Sequence, residues 1–98
     1  MRYYHATPAR NLEAIRLRGL LPNCGDARLF LFPERALADC WAEDNASDET
    51  PWVVLAVEHD GPIEPDPFMG AGACTAETVP AARLFLLDGA AERPLLSR

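Results

Sequence analysis

Lysine is missing from this chain. Its nine basic residues are all arginine, set against fifteen acidic residues, for a net charge of −6. That surplus of negative charge repels phosphate backbones and argues against broad electrostatic binding of nucleic acid. A small ligand held by a local arginine or by backbone amides stays open. An all-arginine basic set beside many alanines and leucines reads as the mark of a GC-rich genome, so the arginines are not each counted as phosphate hooks. Cysteine is also scarce: Cys24, Cys40 and Cys74 are odd in number, widely separated and without a Cys-x-x-Cys pair. This pattern argues for free thiols in a reduced, cytoplasmic setting. The two histidines, His5 and His59, are not at ligand spacing with any cysteine, which argues against structural zinc. No apolar run approaches the roughly 20 residues that span a bilayer, and the N-terminus shows no basic-then-apolar leader, so no membrane partner is expected.

What is present suits one small domain. Of 98 residues, 49% are hydrophobic, too many for disorder and enough for a single core. The domain is expected over residues 1–88, with 89–98 as a loosely ordered C-terminal tail. Arg2 to His5 reads as a short aromatic strand. Thr7 reads as an N-cap and Pro8 as the first helical residue, with Gly19 closing the helix. After a turn at Asn23–Asp26, Arg28–Phe32 is an apolar strand, and Pro33–Arg35 opens a second helix. Leu37, Cys40 and Trp41, at i, i+3 and i+4, are its expected core stripe. Trp52–Glu58 is the strongest strand and belongs at the centre of a sheet. Ile63–Gly72, rich in proline and glycine, reads as a loop. Short strands follow near Ala73–Ala76 and Arg83–Leu87. This order of elements predicts an α+β fold with a mixed sheet and helices toward one side.

Several of these segments together carry a family likeness. They are Tyr4-His5-Ala6-Thr7, then Asn11-Leu12-x-x-Ile15-x-x-x-Gly19-Leu20, and Leu29-Phe30-Leu31-Phe32 leading into Pro33-Glu34-x-Ala36. Val54–Val57 followed by Asp60-Gly61, and Thr75-x-x-x-Val79-Pro80-x-x-Arg83-Leu84, complete the set. The pattern resembles the small bacterial and phage relatives of the ADP-ribosyltransferase fold, a superfamily of RNA 2′-phosphotransferases, poly-ADP-ribose polymerases and diphtheria-type toxins. The resemblance implies small sheets forming a cleft that grips NAD as substrate. Within it, His5 would bond the ribose beside the adenine, backbone groups of Ala6 and Thr7 would hold the nicotinamide amide, and Phe30, where the family usually shows tyrosine, would stack on the ring. Glu77 would be the catalytic carboxylate, stabilising positive charge as nicotinamide departs. Arg2, Arg10 and Arg28 are candidates for the pyrophosphate.

The implied function is transfer of ADP-ribose to a macromolecule, a protein acceptor among the candidates, in a toxin, effector or defence role. The alternative is a non-catalytic descendant acting as a protein-binding module. The acidic balance argues against an RNA substrate, and the Glu-x-Glu pair of arginine-modifying toxins is absent. Each residue also has an ordinary reading: His5 as a strand-end histidine bonded to backbone, Phe30 as a core aromatic, Glu77 as a solvated residue and His59 as a turn histidine.

Overall fold

The computed structural model describes residues 1–22, 28–65 and 72–96, and the structural statements below concern those residues. β1 (Arg2–Pro8) passes through a single 3-10 turn into α1 (Leu12–Arg18). β2 (Leu29–Leu31), α2 (Arg35–Asn45), β3 (Trp52–Glu58), β4 (Glu64–Pro65) and β5 (Ala73–Thr75) follow, and β6 (Leu84–Asp88) and β7 (Ala91–Pro94) close the chain. The strands form two sheets, one in the order β1-β3-β6-β7 and one in the order β2-β5-β4. The α+β class is as expected. The pairing is antiparallel throughout, however, so the sheets are not mixed, and β2 belongs to the second sheet.

β3 lies inside the larger sheet, between β1 and β6. Its uninterrupted apolar run is required because both of its faces are covered. Tyr3, Leu55, Val57 and Leu84 share a core with Ile15 of α1 and with Leu29 and Leu31 of β2. Ala6 and Val54 share another with Ala38 and Ala42 of α2. The stripe predicted for α2 is therefore wrong. Its buried residues are Ala38 and Ala42, while Cys40 and Trp41 are exposed. Small side chains let the helix lie close against β1 and β3, and the bulky ones are turned aside.

The first helix also starts later than its sequence suggests. Thr7 and Pro8 continue β1, opposite Val53 and Trp52. The Thr7 hydroxyl caps no helix amide but accepts from Asn11 Nδ2 at 3.1 Å. Gly19 does end α1, at φ +80°, and a Cβ there would overlap the Val79 carbonyl oxygen. That close approach lets Leu20 pair with Val79 through two backbone bonds of 2.8 and 3.0 Å.

Within the segment expected as a tail, Ala91–Pro94 form β7. Gly89, at φ +59°, and Ala90 make the two-residue turn between β6 and β7, where a positive φ suits the twist of the hairpin. Leu95 is buried beyond β7, its N–H on the Leu84 carbonyl at 2.9 Å. The turn expected at Asn23–Asp26, with Cys24, lies outside the described residues, as does most of the Ile63–Gly72 loop. The part of that loop that is described includes the short strand β4.

Candidate functional site

The two sheets touch through one backbone pair. Tyr4 N–H donates to the Phe32 carbonyl at 2.8 Å, and Phe32 N–H donates to the Tyr4 carbonyl at 2.7 Å. In an antiparallel ladder, successive residues direct their N–H and C=O groups to opposite sides. Tyr4 is directed away from β3, so Ala6, two residues on, presents its N–H and C=O to that same side. Among the described residues, no strand pairs with β1 there. Pro8 follows at the edge, in a position where a missing N–H forfeits no ladder bond. The far half of β1 is thus an open sheet edge.

A cavity of about 520 Å³ lies along this edge, bounded by His5 to Pro8, by Asn11 and Arg18 from the first helical segment, and by Phe30, Phe32, Trp41 and Trp52. Four of the chain's eight aromatic residues therefore meet at one place. Phe32 and Trp41 lie with ring centroids 6.3 Å apart, inclined at 45°. Among the described residues, no acidic side chain lines the cavity, although the chain carries fifteen.

His5 has a fixed role. Its Nδ1 lies 3.0 Å from the Phe30 carbonyl oxygen. A carbonyl can only accept, so Nδ1 carries the proton. Burial pushes the imidazole pKa below its ordinary value, outweighing the opposing pull of the Phe30 carbonyl. The ring is neutral at pH 7, and Nε2 is left as a lone-pair acceptor. His5 Nε2 can thus accept a hydrogen bond from a hydroxyl.

His5, Ala6, Thr7 and Phe30, all singled out from sequence, line the cavity together. Glu77 does not. Its carboxylate lies across Gly61, with Oε1 3.6 Å from Nε2 of His59. His59 is only 6% exposed, and Nε2 has no hydrogen-bond partner. Of the arginine candidates, Arg2 is paired with Glu58 and Glu92, Arg28 is paired with Glu64, and Arg10 is not among the lining residues. The cavity's arginine is Arg18, which sequence reasoning passed over. Its spacing gave a partial signal: Asn11, Ala14 and Arg18 recur at i, i+3 and i+7, so one face of the first helical segment meets the cavity. Trp41, expected in the core stripe of α2, and Trp52, at the start of β3, both line the site.

Among the described residues, no group of three or more histidine, cysteine and acidic side chains is arranged to hold a metal ion. Among the described residues, no helix is long and apolar enough to cross a membrane. Comparisons with family models, with curated protein sequences and with solved structures return no match. Fold and site together define an α+β domain with an aromatic cavity beside an open strand edge.

Proposed function

We propose that the cavity binds the nicotinamide end of NAD, with the carboxamide on the backbone of Ala6. The open edge of β1 carries this reading. A primary carboxamide offers an N–H and a C=O side by side, which complements the C=O and N–H presented by one strand residue. The aromatic walls suit a flat, electron-poor ring, which ring faces attract. His5 Nε2 accepts from a ribose hydroxyl. The volume falls within the roughly 300–1,000 Å³ of small-molecule sites. The free thiols of Cys40 and Cys74 fit a cytoplasmic setting, where NAD is at hand.

Bound NAD supplies a leaving group, since nicotinamide departs with the electron pair of its bond to the ribose while an acceptor attacks the same carbon. Around that reaction the chain contributes orientation: backbone bonds to the amide, ring contacts and a hydroxyl acceptor. Transfer of ADP-ribose to a protein acceptor is the activity this reading implies. A second reading, binding without turnover in a descendant used as an interaction module, is favoured by the position of Glu77 beside His59 and away from the cavity. Calorimetric titration with NAD tests the first step, and nicotinamide release followed over hours separates the two readings. Saturable binding is expected, and no heat at millimolar NAD would overturn the proposal.

A further inference from the structure

We infer that the exposed face of α1 docks on α2 of a second copy of this chain, and that a two-fold axis repeats the contact. The protein is then a reversible homodimer. The contact rests on the two helices and not on what the cavity holds, so it stands apart from the nicotinamide reading.

α1 is apolar on two sides. Ile15 is buried in the core, and Leu12 packs against that core. Ala14, Leu17 and Arg18, at i, i+3 and i+4, share another face, and all three are exposed. Leu17 is 79% exposed, more than any other large apolar side chain described. Leu21, also exposed, follows the helix at the edge of the cavity. A surface helix needs one apolar stripe for its own core, and a second, contiguous one marks a surface for a partner. On α2, Trp41 is exposed and lines the same cavity.

Charge selects the occupant. Between Ala9 and Arg18, three arginines stand against one glutamate. Between Glu34 and Thr50, six acidic residues stand against one arginine. Among the described residues, one ion pair is found within this acidic stretch, Arg35–Asp39. Asp44 lies three residues past Trp41, on the same side of α2, and is exposed. An apolar, basic helix face and an aromatic, acidic one are complementary, and this chain carries both. A net charge of −6 on each copy opposes contact in other orientations. The seven residues of α1 span only about 10 Å, too little for a stable contact alone. A two-fold axis sets α1 of each copy on α2 of the other, which doubles the area and closes the assembly. Ala14, Arg18 and Trp41 line the cavity, so the two cavities open toward the shared interface.

Sedimentation velocity of the full chain, without ligand, from micromolar to millimolar concentration tests the contact. A monomer–dimer equilibrium is expected. Leu17→Glu sets a charge in the apolar centre and should weaken dimerisation by about tenfold or more. Arg18→Glu and Asp44→Arg should each weaken it too, because each sets like charges face to face. Net charge alone predicts opposite effects, since the first makes the chain more negative and the second less. An equal mixture of these two variants is the sharpest sample. One helix pair then carries both reversed charges and the other both native ones, so the mixed dimer should recover native strength. All three substitutions fall at exposed positions, and circular dichroism separates loss of contact from loss of fold. A native chain that stays monomeric at millimolar concentration would overturn the inference. So would a dimer left intact by Leu17→Glu, one strengthened by Asp44→Arg, or charge variants that do not recover when mixed.

Discussion

At the Arg2 end of β1, charge is matched at each step. Arg2 bridges Glu58 and Glu92 and lies over the Phe85 ring, 5.4 Å from its centroid. Asp60 holds the N-terminal amine and Arg83, and both pull its carboxyl below the ordinary carboxylate range, the amine more strongly. At the Pro8 end, six residues along, no acidic side chain among the described residues lines the cavity, and no described strand pairs with β1 at Ala6. Both ends belong to one strand and hang from the same neighbour, β3. The contrast separates groups that close the structure from groups left available to a ligand, and only the second kind point to a binding site.

Removing the shared support should destroy both ends together. Leu55 is fully buried opposite His5, and Leu55→Ala should cost about 2–5 kcal/mol of stability through lost contacts and a residual cavity. Urea denaturation followed by tryptophan fluorescence measures it. Loss of ligand binding without loss of stability would break the view that β3 carries both halves.

Within the Pro8 end, Phe30→Ala should weaken NAD binding by at least as much as His5→Ala, for which the expected loss is about 1–2 kcal/mol, one neutral hydrogen bond with its desolvation. Calorimetry on the two variants decides the order. If neither changes affinity, the sequence-singled residues play no part in the site.

His5 also gives the Pro8 end a pH signature. Its native pKa lies below the unfolded value of 6.5, so near that pH the unfolded chain binds more protons than the native one. The contribution of His5 is complete above about 6.5 and is lost as pH falls through the native pKa. Stability should therefore rise with pH across that interval, and His5→Gln should flatten the rise. A slope unchanged by the substitution would show that the proton is taken up elsewhere.

The smallest effect belongs to the Arg2 end. Arg2 holds the Glu92 carboxyl below its ordinary range, but the pair is solvent-exposed and open to screening. Glu92→Gln should lower stability only slightly, less in high salt, and leave ligand affinity untouched. A change in NAD affinity would tie the two ends together and spoil the contrast.

The strongly patterned parts of this molecule were legible in the sequence. Trp52–Glu58 appears as a central strand with the predicted bounds because a continuous apolar run needs cover on both faces. His5 and Phe30, singled out from sequence, line one cavity. What escaped was set by packing partners that no local pattern encodes. Ala38 and Ala42 outrank Trp41 in burial because a helix flat on a sheet needs small contacts. β7 reads as polar tail, and pairing with β6 makes it a strand. Its signal was present in Asp88-Gly89, a hairpin dipeptide directly after an apolar strand. Arg18 is set apart by the helix face that meets the cavity, and Glu77 lies beside His59, through a topology that sequence does not display.

The central claim is that the unpaired backbone of Ala6 receives the ligand, and the Ala6 amide resonance in a nitrogen–proton correlation spectrum reports on it directly. Titration with NAD should move that resonance progressively to saturation, with the shift centred on Ala6 and its cavity neighbours while Arg2 and Glu92 stay still. An Ala6 amide that does not move at millimolar NAD, or that moves no more than those at the Arg2 end, would contradict the account.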